Sequence, residues 1–141
     1  MTAMNAIVLD KHPITRADLV AVARHGAPVV MSPEGEARVK RTRELIEQWV
    51  AEGKVIYGIT TGFGALCDVT ISSRDTRRLQ ENILMSHAAG IGTPLPEEVV
   101  RAVMALRIHD LAMGYGGIRQ ETLRYLLTFL NDGVTPVVPE K

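Results

Sequence analysis

Hydrophobic positions recur along this chain mostly at helical spacing. Leu19, Val22 and Ala23 make the first such set, and Val39, Ile46, Trp49 and Val50 the second. Leu79, Ile83 and Leu84 follow, then Val99, Val100, Val103, Leu106 and Leu111, then Leu123, Leu126, Leu127 and Leu130. Residues that start or stop a helix bracket these sets. Thr15 with Asp18 three positions on makes a capping-box start, and Gly26 stands where a left-handed terminal residue is wanted. Ser32-Pro33-Glu34 supplies an N-cap, a proline already at helical φ and a carboxylate at the positive end of the helix dipole, with Gly53 as the stop. A serine ahead of Asp75 opens the third helix. Pro94, Pro96 and Glu97-Glu98 introduce a fourth, which runs to about Met113 and closes at Gly114. The fifth spans Glu121 to Asn131, with Gly133 ending it.

Two stretches break the helical rhythm. Ala6-Ile7-Val8-Leu9 is a short apolar run closed by Asp10 and His12-Pro13, which predicts an edge strand. At the other end Pro136 and Pro139 hold Val134–Lys141 extended, predicting an unpaired arm. The pattern therefore predicts a mainly α fold: a helical domain over 1–133 with a short amino-terminal strand element, and an extended carboxy-terminal arm over 134–141. Arg38, Arg41, Glu44 and Glu47 are expected on a solvated face of the second helix. The leucines of the fifth helix are expected to leave an apolar face that wants covering.

Composition narrows the class of function. Sixteen basic and sixteen acidic residues cancel, leaving no electrostatic footprint for nucleic acid or an anionic membrane surface. Aromatic residues are only 4% of the chain, too few for a base-stacking platform. No run approaches the ~18 consecutive apolar residues that a membrane span needs. Cys67 is the only cysteine, so no internal disulfide is possible and the chain fits a reducing, cytoplasmic setting. Neither His12 nor His25 has a second ligand at metal-binding spacing, and no metal is expected.

Candidate chemistry concentrates in Val55–Gly64. Gly58, Gly62 and Gly64 permit positive φ and close approach, and they alternate with Tyr57, Thr60, Thr61 and Phe63. No Lys-Ser/Thr pair follows the last glycine, and the glycine spacing does not fit a dinucleotide fingerprint, so the loop is not a phosphate cradle. On its own residues it is either a turn between helices or a loop carrying a reactive phenol. His87, at the end of an apolar helix and ahead of the small residues Ala88-Ala89-Gly90, is likewise either a capping histidine or a site residue.

Taken together, the tyrosine loop, Leu79–Gly92, Gly114-Tyr115-Gly116-Gly117-Ile118-Arg119 and Val134–Lys141 resemble the opening region of the histidine and aromatic amino-acid ammonia-lyase family. The resemblance covers the chain from about Ile7 to its end. It implies the amino-terminal portion of a larger helical-bundle enzyme that removes ammonia from an α-amino acid using a methylidene-imidazolone (MIO) electrophile. That group is made from an Ala-Ser-Gly segment of the backbone, and no such tripeptide is present in this chain. The chain alone is thus expected to be inactive, whether it is a cleavage product or a natural subunit. Its expected partners are the amino-acid substrate and the remaining lyase polypeptide or its own copies, the family being tetrameric.

By the same resemblance Tyr57 is the catalytic base, Gly64 and His87 bind substrate, and Gly58, Thr60, Gly62 and Phe63 support the loop. A free phenol ionises only near pH ~10, so the base needs N–H groups or cations around it, and the loop glycines are expected to offer accessible N–H groups. A histidine at position 87 implies an imidazole or phenol substrate over phenylalanine. Ser86-His87-Ala88-Ala89-Gly90 resembles histidine ammonia-lyases, whereas Thr60 resembles tyrosine 2,3-aminomutases. Histidine ammonia-lyase is the favoured activity, with tyrosine ammonia-lyase or tyrosine 2,3-aminomutase as alternatives. A non-catalytic helical interaction subunit is the alternative of another class.

Overall fold

A computed structural model describes residues 5–62, 64, 71 and 73–141. Its element order is β1 (Ile7–Leu9), α1 (Arg16–His25), β2 (Val29–Met31), α2 (Pro33–Ala51), α3 (Ser73–His87), α4 (Glu97–Ala112) and α5 (Gln120–Asn131). The fold is mainly α, with a small parallel β1–β2 sheet joined through α1. Two compact units emerge. Residues 1–43 with 92–141 form the first and residues 44–91 the second, α2 beginning in one and ending in the other.

Local chemistry sets the helix ends. The Thr15 hydroxyl accepts from the Asp18 N–H, and the Asp18 carboxylate accepts from the Thr15 N–H, so two orphan donors of α1 are satisfied reciprocally. Ser32 Oγ accepts from Gly35 N at 2.9 Å and caps α2. At its far end Gly53 takes φ +66°, which lets Lys54 N reach Trp49 O at 3.0 Å and Gly53 N reach Val50 O at 3.2 Å. Gly114 is needed for a different reason. A Cβ there would lie 2.8 Å from Arg38 Cβ, so α2 and the end of α4 approach as closely as they do because no side chain intervenes.

The core of the first unit gathers Leu9, Val22, Val29, Val39, Ile108, Leu123 and Leu130, each at most 2% exposed. Burying side chains of this size contributes on the order of 1.5–3 kcal/mol apiece before conformational entropy is set against it. The leucine face of α5 therefore does not await a partner. Leu123 and Leu130 are core, and Leu126 and Leu127 pack against it, because α4 and the sheet already cover that side. What α5 leaves exposed is Tyr125 and Phe129, and α4 exposes Val99, Val103 and Leu106.

Four further departures from the sequence pattern are instructive. Strand β2 was not anticipated. Its outer edge is covered by the Asn131 amide, whose Oδ1 accepts from Val29 N at 2.9 Å and whose Nδ2 donates to Val29 O at 2.8 Å. The arm over 134–141 is paired, not free. Leu95 N donates to Val138 O at 2.8 Å and Glu140 N to Thr93 O at 3.1 Å. Pro94 faces Pro139 between those bonds, at the one kind of antiparallel position where neither residue needs an N–H. Arg38 is not on a solvated face: it turns inward to pair with Asp10 at 3.1 Å, its side chain only 15% exposed. Leu84, expected on the apolar face of α3, is exposed.

Arg101 carries the most consequential polar contact of the core. It is 8% exposed and donates to Val22 O at 3.0 Å and Leu130 O at 3.1 Å. Both carbonyls lie in last turns, of α1 and α5, where the dipole favours a cation, and Leu130 O also accepts from Gly133 N at 3.4 Å.

Candidate functional site

The second unit holds every described residue of the expected site. After α2 ends, the chain turns sharply through Tyr57–Thr60, where Ile59 N and Thr60 N both donate to Ile56 O, at 3.1 and 3.0 Å. Gly58 supplies the positive φ, +72°, that this reversal requires. Two hydroxyls then lock the loop. Thr60 Oγ1 donates to Lys54 O at 2.6 Å and accepts from Ile56 N at 2.9 Å, tying both residues ahead of Tyr57 to one behind it. Thr61, 3% exposed, accepts from Gly58 N at 3.3 Å and donates to Gly62 O at 3.0 Å. Tyr57 sits on the outside of this knot, 63% exposed.

The loop glycines differ from expectation. Gly58 does not offer its N–H to a ligand, because Thr61 takes it, and Gly62 is buried. Gly64 is exposed with φ +57°. Phe63 and Cys67 lie outside the described residues.

His87 is the last residue of α3 and is exposed. Its described hydrogen bonds stay within its own helix: Nδ1 is 2.9 Å from Ile83 O and 2.9 Å from Ser86 Oγ, which itself donates to Ile83 O at 3.0 Å. None of them runs to the tyrosine loop. Thr61 and Ser86 stand within the sequence motifs, but the pattern gave neither a role of its own. A hydroxyl beside a candidate residue is the signal that could have singled them out.

A groove of about 600 Å³ lies elsewhere, in the first unit, between the end of α1 and the start of α4. Its charged groups are spent on neighbours: Arg24 pairs with Glu98 at 2.7 Å, Glu97 accepts from Thr135, and Arg101 holds two carbonyls. Among the described residues no three His, Cys, Asp or Glu side chains gather to hold a metal ion, and no helix is long and apolar enough to cross a membrane.

Residues 14–141 match the family profile described as aromatic amino acid lyase. The chain belongs to that family. It is similar to the histidine ammonia-lyase of Symbiobacterium thermophilum, with 54% identity over 138 residues, which is 98% of this chain and 27% of that enzyme. Among solved structures it resembles the ergothionase of Treponema denticola in complex with desmethyl-ergothioneine sulfonic acid, at TM-score 0.90 and 33% identity over 97% of this chain and 28% of that one. It also resembles the tyrosine aminomutase of Streptomyces globisporus, at TM-score 0.89 and 32% identity over 96% of this chain and 26% of that one. The chain thus spans about a quarter of the length of these relatives, and its fold is that of part of an aromatic amino acid lyase.

Proposed function

We propose that this chain is the amino-terminal part of a histidine ammonia-lyase, converting histidine to urocanate and ammonia when joined to the rest of such an enzyme. The 54% identity to a histidine ammonia-lyase over 98% of the chain carries the choice of substrate. In this reading Tyr57 takes the β-proton of the substrate, His87 contacts its ring, and Gly64 lies against it. An electrophile built from another stretch of polypeptide requires that this chain's contributing groups face outward, and the phenol of Tyr57 and the ring of His87 are both exposed. The MIO group, when present, supplies an electrophilic carbon that activates the amine as leaving group.

The work left to this chain is positioning. Tyr57 can remove a proton only if its oxygen is held against one carbon, and the Thr60 and Thr61 hydroxyls fix the turn that carries it. Because they consume the local N–H and C=O groups, the loop keeps its shape without help from substrate. A tyrosine aminomutase is the second reading, favoured by the structural match to such an enzyme and by Thr60 in the loop.

The test grafts this chain in place of the matching 138 residues of the Symbiobacterium enzyme and follows urocanate, coumarate and β-tyrosine. Urocanate from histidine is expected. Tyr57→Phe keeps the ring and loses the ionisable oxygen, so kcat should fall at least ~10²-fold while assembly and histidine binding persist. Full activity in that variant would remove Tyr57 from the chemistry.

A further inference from the structure

The last turn of α3 sets the polarity of its terminal imidazole. Ile83 O carries no proton. A ring nitrogen presenting its lone pair 2.9 Å away would set two lone pairs against each other, which favours the hydrogen on Nδ1 of His87. Ser86 Oγ lies 3.0 Å from the same carbonyl, and with its single proton directed there it accepts from Nδ1, 2.9 Å away. Both neighbours of Nδ1 thus demand a donor. In a neutral imidazole one nitrogen donates and the other accepts, so Nε2 holds the lone pair, on an exposed side chain.

We propose that Ser86 is a positioning residue that, with the Ile83 carbonyl, holds His87 as the Nδ1–H tautomer, so that the site reads the substrate ring through an Nε2 acceptor. The substrate half of this rests on His87 being the ring contact. It fixes the class of ligand more narrowly than exposure or size does. An imidazole N–H or a phenol O–H can donate to Nε2. A ring that only accepts, such as pyridine, sets lone pair against lone pair, and a phenyl ring leaves Nε2 without a donor once water is excluded. Ser86 has no proton left for the substrate, so its effect passes through His87.

The tautomer is measurable in the 141-residue chain itself. With ¹⁵N-labelled histidine, long-range ¹H–¹⁵N correlation at about pH 8.5, where imidazoles are neutral, reports which nitrogen of each of the four histidines is protonated, and His87→Gln assigns the signal. His87 is expected with a protonated Nδ1 and a bare Nε2. Ser86→Ala should move it toward the Nε2–H form and Ser86→Thr should restore it. A wild-type His87 protonated mainly at Nε2, or a tautomer indifferent to Ser86→Ala, overturns the proposal.

In the grafted lyase Ser86→Ala should raise KM for histidine ~3- to 10-fold with kcat changed less than ~2-fold, as expected for losing orientation and not chemistry, and Ser86→Thr should recover it. Histidine should be preferred over β-pyridylalanine by ~10- to 100-fold in kcat/KM. Equal use of the two overturns the acceptor role. A graft that turns over neither histidine nor tyrosine, beside a confirmed Nδ1–H tautomer, fails the lyase reading and the substrate half of the proposal but not the ring geometry.

Discussion

Replacing Thr60 with valine keeps the shape of the side chain and removes the oxygen that closes the tyrosine loop. That oxygen donates to Lys54 O at 2.6 Å and accepts from Ile56 N at 2.9 Å, so the change deletes two hydrogen bonds that bracket Tyr57. Each is worth about 1 kcal/mol net, and the part-buried Ile56 N–H loses its acceptor as well. Thr60 is only half-buried, so water recovers some of this, and the closed loop should lose about 1–2 kcal/mol against its open forms. That corresponds to a ~5- to 30-fold rise in opening. Amide hydrogen exchange at Ile56 and Gly58 reads it directly and should accelerate by that factor, while Thr60→Ser, which keeps the hydroxyl, stays within ~2-fold of the parent. Amides in the core helices α4 and α5 should be unaffected. In the grafted lyase kcat/KM should fall only as far as the closed fraction falls, because only the closed loop presents Tyr57 correctly. Unchanged exchange at Ile56 in Thr60→Val would show that the hydroxyl does not hold the loop, and the positioning argument for Tyr57 would fall with it.

Two further outcomes follow from the first unit. Asn131→Ala strips both hydrogen bonds from Val29 and should cost about 2 kcal/mol, lowering Tm by roughly 5–8 °C for a chain of this length; an unchanged melting temperature would mean that the edge of β2 needs no cover. The Asp18 carboxyl is held below its ordinary 3.8 by the Thr15 hydroxyl and then the Thr15 backbone N–H. A lowered folded value stabilises above the unfolded pKa and is lost as pH falls through the folded one, so the gap in urea midpoint between the parent and Asp18→Asn should close as pH drops below 3.8. A gap as wide at about pH 2 as at pH 6 would detach the capping box from the acid response.

Much of the helical framework was legible because its signals are local. Thr15 with Asp18, Ser32 with Pro33, and Gly26, Gly53 and Gly133 act on backbone groups within a few residues of themselves, and the helices begin and end where those residues stand. The glycine at 58 likewise announced a reversal that needs positive φ. The tyrosine beside it announced a candidate phenol, and the order of four segments announced the family.

What sequence could not supply were pairings set by distance along the chain. Val29–Met31 is too short and too featureless to declare itself a strand; it is one because β1, some twenty residues earlier, and Asn131, 102 residues later, satisfy its backbone. Arg38 looked like surface until Asp10 drew it inward, and the pattern did not single out Arg101, around which two helix ends meet. At the candidate site the residue types were readable, but the use of each proton was not. The pattern offered Gly58 as a free donor, and the fold spends that donor on Thr61; it named His87, and the fold decides which nitrogen faces out. Composition determines which groups are present, and periodicity suggests a face for each that packing can overrule, as at Arg38 and Leu84. Hydrogen-bond direction depends on the third dimension, because a donor is available only where folding has left it without an acceptor.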